Sequence, residues 1–379
     1  MVRDPVQFVA VTSAGFDSRI LSLAPTTRSL LPAGVSAGAK EVIAGGPSSL
    51  SMPTVHVVGC GGTIASEPAA DGAAPAKAGE ELVDAVPSVS EHADLRVTDV
   101  GSRPGFGMDF AVVAAAADAV CDAVDDGADG VVVTQGTDTI ADTAYALDIA
   151  CDVPVPVLVT GSQRRFDEPG SDAPANLLTA VRAAVDDRFA PGAHVAFDDE
   201  LHAARDAVKT HTNALDTFQS PGKGPVATFT RATTRLHRDP ARATSETSLP
   251  DGTLDPGRDA ADYADVPVVH SGTGVDGSFL ERVLDGADGV VVEGTGLGNT
   301  TGPLGEAVAD AVEAVPVVVS SRCHAGPTEA VYGTAGGGVT LRDHGVAYAG
   351  DLSTAKARVK LVLGLTAGLS RETVEATFE

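Results

Sequence analysis

The sequence predicts an α/β protein with a larger N-terminal parallel-sheet unit and a smaller C-terminal α/β unit. Short continuous apolar runs at 55–58, 130–133, 155–159 and 193–197 have the form of strands buried on both faces. Helical stretches at 110–125, 142–151 and 175–187 lie between them. The alternation resumes after residue 265, with strands at 266–270, 289–293 and 315–320 and helices at 278–285, 303–314 and 353–369. Alternating β and α elements give a parallel sheet covered on both faces. In such sheets, sites form outside the carboxyl ends of the strands.

The chain begins with a segment, 1–51, unlike the rest. It carries a net +1 within a chain of net −26, and it shows no helical or strand period. Pro32 and Gly34 interrupt its apolar stretch, so it does not read as a signal peptide. We expect it to be disordered or a non-native extension, with Met52 as an alternative start. The larger unit is expected over 52–238. Residues 239–265 are rich in Pro, Asp, Thr and Ser and read as a linker, and the smaller unit fills 266–379. No run reaches about 18 apolar residues, so no transmembrane helix is expected.

Composition narrows the partners. Hydrophobic residues make up 43% but aromatics only 4%, with no Trp, so the core must be aliphatic. A net charge of −26 argues against nucleic acid and against anionic membranes, both of which select basic patches. Six lysines stand against twenty arginines. An acidic, lysine-poor surface fits a protein kept soluble in concentrated salt, where self-repulsion is screened; an acidic protein from a GC-rich genome is the bland alternative. Cys60, Cys121, Cys151 and Cys323 have no metal-binding spacing, and no cofactor or metal is expected. Nothing calls for disulfides, so a reducing, cytoplasmic setting is expected.

Two turns carry the chemistry. The first strand runs into Gly61-Gly62-Thr63-Ile64-Ala65 and the second into Gln135-Gly136-Thr137-Asp138-Thr139. Each exposes a hydroxyl at a strand end. Farther on, Lys209 lies in the segment ARDAVKTHTNALDTFQS. Two threonines, a carboxylate and a lysine suffice for nucleophilic acyl transfer. Plainer readings stand beside this one. The first turn roughly mimics a dinucleotide fingerprint, but the acidic pair Glu80 and Glu81 opens a helix rather than ending a strand. Asp138 and Thr139 are suited to cap the following helix, and a lysine is most often simply solvated.

Taken together, these segments resemble the bacterial-type L-asparaginase and glutaminase-asparaginase family. Supporting matches are PVPVLVTGSQRRFDEPGSDAPANLLTAV, which follows the family's T-G-[AS]-x-R pattern, Gly296-Leu-Gly-Asn299, VVVSSRCHAGPTEAVYG and GDLSTAKAR. The resemblance runs from Met52 to near the C-terminus. It implies a Rossmann-like larger domain, a flavodoxin-like smaller one, and hydrolysis of L-asparagine, or of L-glutamine, through a threonine acyl-enzyme without metal or cofactor. Carried over, Thr63 is the nucleophile and Thr137, Asp138 and Lys209 the second hydroxyl–acid–base group. Gly62 and Gly136 let the backbone approach substrate. Ser102 and Asp138 grip its α-carboxylate and α-amino groups. Asn299 completes a neighbouring subunit's site in a homodimer or homotetramer. The family's tyrosine after GGTIA has no counterpart, because 66–81 contains no Tyr; Tyr332 is the candidate to replace it. Glu329 is nearest to the family's acidic residue from the adjacent subunit. The segment from Ser102 through Arg103 to Asp109 differs from the family's short run, and Arg103 is either a carboxylate contact or surface. The alternatives are a glutamine-hydrolysing subunit of an archaeal Glu-tRNA(Gln) amidotransferase and a catalytically silent amino-acid-binding protein of the same fold.

Overall fold

The computed structural model describes residues 51–67, 74–75, 79–240, 249–250 and 252–378. The expectation for 1–51 falls almost wholly outside them, as does the middle of the 239–265 stretch.

Strand β1 (Thr54–Gly61) ends in five consecutive buried residues. A short antiparallel ladder, β2 (Ser66–Glu67) with β3 (Ala74–Pro75), follows it. Next come β4 (Asp94–Arg103), β5 (Gly130–Thr134), β6 (Pro156–Thr160) and β7 (Gly192–Phe197). Every residue of β5 and β6 is buried, as their unbroken apolar runs require. These five long strands pair in parallel in the order β4-β1-β5-β6-β7. Counted by appearance the order is 2-1-3-4-5, a doubly wound arrangement. Its direction of winding reverses between β1 and β5, and there the crevice opens. The sheet continues antiparallel through β8 (Glu200–Ala203). The ladder of β9 (Val208–Lys209) with β10 (Phe218–Gln219) stands apart from it. Then β11 (Ala227–Phe229) and β12 (Thr234–Leu236) close the far edge.

Helices α1 (Gly79–Asp84), α2 (Phe110–Asp125), α3 (Ile140–Ala150) and α4 (Ala173–Ala184) belong to this half. Asp109 caps α2 by accepting from the Val112 N–H at 3.0 Å. Alanines 114, 116, 117 and 123 form much of the buried face of α2. Their small side chains let the helix sit close to the sheet in an aromatic-poor core.

The second sheet has β13 (Val268–His270), β14 (Val290–Gly294), β15 (Val317–Ser321) and β16 (Ala347–Tyr348), parallel and in chain order. With it go α5 (Ser278–Val283), α6 (Gly302–Ala314), α7 (Gly338–Asp343), α8 (Thr354–Thr366) and α9 (Arg371–Ala376). The fold is therefore mixed α/β, with a large, mostly parallel sheet and a smaller parallel one. One apolar cluster runs from Val131 and Ile149 through Leu249 and Tyr263 to Leu361 and Val362, so the two halves share a core. Tyr263 stacks on Phe110 with ring centroids 5.1 Å apart. Within the stretch read as a linker, Leu249, Leu254 and Tyr263 are buried against this core, while most of its other described residues are exposed.

Charge also crosses this seam. Asp206 accepts from Arg205 at 3.0 Å, Lys223 at 2.7 Å and Arg238 at 2.8 Å. Asp351, just before α8, accepts from Arg205 at 2.8 Å and Lys223 at 2.6 Å. Lys356 is fully buried, and its ammonium donates to the Ala207 carbonyl. No helix among the described residues is long and apolar enough to cross a membrane.

Candidate active site

Two glycines set the first turn. Gly61 and Gly62 have φ of 93° and 89°, a region that L side chains rarely adopt. A Cβ on Gly62 would lie 2.1 Å from the Gly136 nitrogen. The turns after β1 and β5 therefore touch through bare backbone, at the point where the sheet order reverses. Thr63 begins a 3-10 turn, Thr63–Ala65, and is half-buried. Ile64 and Ala65 anchor that turn in a small apolar cluster with Leu82 and Ala173. Ser66 Oγ donates to the Gly62 carbonyl at 2.8 Å. Among the described residues nothing hydrogen-bonds the Thr63 hydroxyl. Cys60, just upstream, is inert: burial first, then the nearby Asp99 charge, push its thiol up to about 12.

The second turn, Thr137–Thr139, leads directly into α3. Thr137 is buried, whereas the Asp138 side chain is 53% exposed. The capping reading does not hold, because no side chain caps α3. Thr139 instead donates to the Gly105 carbonyl at 2.9 Å and accepts from Gln135 Nε2 at 3.2 Å. Lys209 arrives on β9, held by the Phe218 register partner. Its ammonium donates to Thr137 Oγ1 and to Asp138 Oδ1, each at 2.8 Å. The Lys209 side chain is only 17% exposed, so the solvated-surface reading fails as well. Residues 71 and 72 positions apart meet here because β9 passes the carboxyl end of β5.

Ser102 stands near the end of β4, beside β1, where the register slips between Gly59 and Gly61. It lines a cleft of about 460 Å³ with Gly61, Asp99, Leu82 and Thr134. Gly105 sits on the second turn: a Cβ on Gly136 would lie 2.3 Å from the Gly105 nitrogen. A second cleft of about 240 Å³, lined by Asp138, Lys209, Thr210, His211 and Thr212, opens on the other side. Arg103 is exposed. Backbone approaches thus join the turn of Gly62 and Thr63 to Ser102 on one side and to Gly136 and Thr137 on the other, with Asp138 and Lys209 on the second cleft.

Asn299 lies apart, in the turn after β14, where its Oδ1 accepts from the Gly338 N–H at 3.0 Å. Glu329 and Tyr332 belong to the same loop cluster: Glu329 N donates to Leu297 O, and Val339 N donates to Tyr332 O, both at 2.9 Å. Tyr332 is 55% exposed, whereas Tyr145 and Tyr263 are buried and Tyr348 donates to Gly338 O. None of Asn299, Glu329 and Tyr332 lines either cleft within one chain.

Sequence reasoning missed Gln163. Its Oε1 accepts from the Thr137 hydroxyl at 3.3 Å, and its Nε2 donates to Ala214 O at 3.2 Å. The only signal is its place in the TGSQRR segment, at a position where the motif is silent.

A doubly wound crevice that brings a hydroxyl turn, a second hydroxyl, a carboxylate and a desolvated lysine together defines an amidohydrolase. The chain belongs to the asparaginase family. The family model for the asparaginase N-terminal domain matches residues 54–242, and that for the glutaminase/asparaginase C-terminal domain matches 265–378. A probable L-asparaginase of Deinococcus radiodurans is 34% identical over 337 residues, covering 86% of this chain and 98% of that protein. A glutamyl-tRNA(Gln) amidotransferase subunit of Halobacterium salinarum is also 34% identical, over 83% of this chain and 75% of that protein. The crystal structure of a probable cytoplasmic L-asparaginase from Campylobacter jejuni superposes with a TM-score of 0.75 at 27% identity, covering 86% of this chain and 99% of that one.

Proposed function

We propose that this protein hydrolyses L-asparagine to L-aspartate and ammonia through an acyl-enzyme on Thr63. The observation that carries the reading is the Lys209 ammonium, 2.8 Å from both Thr137 Oγ1 and Asp138 Oδ1, at the turn that touches Gly62. Asp138 has its exposed side free to meet the substrate ammonium, and Ser102 meets the carboxylate. Thr63 Oγ attacks the side-chain amide carbon. Backbone N–H groups at the two glycine turns receive the oxyanion; one such donor is worth roughly 2.7–4 kcal/mol in other enzymes. Ammonia leaves with the proton from Thr63. Water then hydrolyses the ester beside Thr137 and Lys209.

In this reading the chain works as a homodimer or homotetramer in the cytoplasm. Asn299, outside both clefts of its own chain, enters a neighbour's site, and Tyr332 travels with it as the phenol that 66–81 lacks. The same reading makes the protein salt-adapted. All four described lysines are occupied by the site, the seam or the core, which leaves the −26 surface without lysine counter-charge among the described residues. Loss of folded signal on dilution from concentrated KCl supports the adaptation, and indifference to salt removes it.

The test is ammonia release from L-asparagine and L-glutamine in concentrated KCl, with Thr63→Ala alongside. Asparagine turnover abolished by the substitution supports the proposal. A well-folded wild type inactive on both substrates overturns it in favour of a silent binding protein or of a subunit that needs its tRNA-bound partner. The amidotransferase reading draws on the equal identity of the Halobacterium relative. Glutamine turnover that appears only with a tRNA-bound partner would establish it.

A further inference from the structure

Gln163 lies just after β6, with its backbone pinned. The Asp172 carboxylate accepts from the Gln163 and Arg164 N–H groups, both at 2.9 Å, and from Asn176 Nδ2 at 3.0 Å. The side-chain amide then spans two strand-end loops, from Thr137 to Ala214. A backbone carbonyl can only accept, so Ala214 O fixes which end of the amide faces it. The amide oxygen is left facing Thr137. The loop that carries Ala214 is itself held, because His211 Nδ1 accepts from Asn213 N at 3.0 Å and Ala214 N at 2.8 Å.

A threonine hydroxyl has one proton and two lone pairs. The Thr137 proton goes to Gln163 Oε1, and one lone pair takes the Lys209 N–H. One acceptor position remains. Without Gln163 the hydroxyl could rotate and turn its proton toward the crevice.

We infer that Gln163 is a positioning residue that locks Thr137 as an acceptor for the water that cleaves the acyl-enzyme; this rests on the acyl-enzyme reading above. In that step the water oxygen bonds to the acyl carbon and the bond to Thr63 Oγ breaks. One water proton ends on Thr63 Oγ, and the other leaves from the new carboxyl group. Thr137 takes no net proton and only orients the water. The first step, ammonia release, does not use this lone pair, so Gln163 acts on the second step alone.

The experiment is pre-steady-state ammonia and aspartate release by wild type, Gln163→Met and Gln163→Glu, with Thr63→Ala as control. Gln163→Met keeps the length and loses both hydrogen bonds. We expect a burst of ammonia followed by a kcat lowered about tenfold. KM should fall with kcat, leaving kcat/KM within about twofold of wild type, because kcat/KM reports acylation. Added hydroxylamine, a stronger nucleophile, should restore turnover. Protonated Gln163→Glu can still donate to Ala214 O and accept from Thr137, so its kcat should recover at low pH. It should then fall as pH rises past the usual glutamate range of about 4–5, because the ionised carboxylate cannot donate to Ala214 O and is repelled by it, which draws the acceptor away from Thr137. This variant carries the test if Gln163→Met fails to fold. An unchanged kcat in Gln163→Met, or a kcat/KM that falls as far as kcat, would overturn the proposal while wild type stays active and Thr63→Ala stays dead. If Thr63→Ala retains activity, or wild type releases no ammonia, the acyl-enzyme reading fails and this inference fails with it.

Discussion

The crevice at β1 and β5 and the seam between the two sheets both set a lysine against carboxylates, with opposite results. In the crevice, Lys209 is nearly buried while Asp138 stays half-open, so the carboxylate keeps valence for another partner. In the seam, the Asp206 side chain is 3% exposed and is saturated by Arg205, Lys223 and Arg238. A saturated, buried carboxylate holds parts together; an unsaturated one at a strand end can receive a ligand. The difference lies in exposure and remaining hydrogen-bond capacity, not in residue type.

Substitutions should separate the two regions. The largest effect is expected from Lys209→Met: ammonia release should drop by about 10³-fold with the fold retained by circular dichroism, since an activating group is removed without opening a core. Gly62→Ala should follow. It forces a side chain into a φ of 89° and against the Gly136 nitrogen at 2.1 Å, so activity should fall by about a hundredfold, with a lower melting temperature. Asp206→Asn should do the reverse of Lys209→Met. It leaves Arg238 without its carboxylate and Arg205 and Lys223 with Asp351 alone, and should cost about 3 kcal/mol in a denaturant titration, while the folded fraction keeps its turnover.

A smaller, pH-dependent effect belongs to Asp351. Burial raises its carboxyl, but hydrogen bonds from Arg205 and Lys223 outweigh this and hold it down at about 2. The folded value lies below the usual aspartate value of about 3.9. Its contribution is therefore complete above about pH 4 and is lost as pH falls from there toward about 2. Asp351→Asn should flatten the stability curve in that window; an unchanged curve would detach Asp351 from the seam. The smallest effect concerns Cys121, exposed on α2, whose thiol a hydrogen bond from Cys151 holds down at about 7. It should alkylate near neutral pH in the folded protein, while Cys60 waits for unfolding; mass mapping of the labelled peptides checks both.

Legibility in the sequence follows the range of the interactions. Strands β5 and β6 announce themselves because burial on both faces demands unbroken Val and Leu runs, and β1 does so through its valines despite the half-buried His56. Helix α2 appears over 110–125, the bounds its helical pattern predicts. Strand β4 is invisible: it lies at the sheet edge and alternates between exposed and half-buried residues, so no apolar run marks it. The two glycine-threonine turns and Lys209 stand out as local motifs. The link from Thr137 through Gln163 to Ala214 does not, because it joins three strand ends that only the sheet order brings together. Cys121 falls within the helical stretch 110–125, and only the packing of α2 shows that its thiol is exposed.

The central claim is a covalent intermediate on Thr63, and the direct measurement is rapid acid quench with L-asparagine followed by intact-mass and peptide analysis. The account predicts a transient adduct of one aspartyl group on the peptide containing Thr63, formed as ammonia is released, absent from Thr63→Ala and longer-lived in Gln163→Met. Ammonia release with no adduct at any time, or an adduct on the peptide containing Thr137, would contradict it.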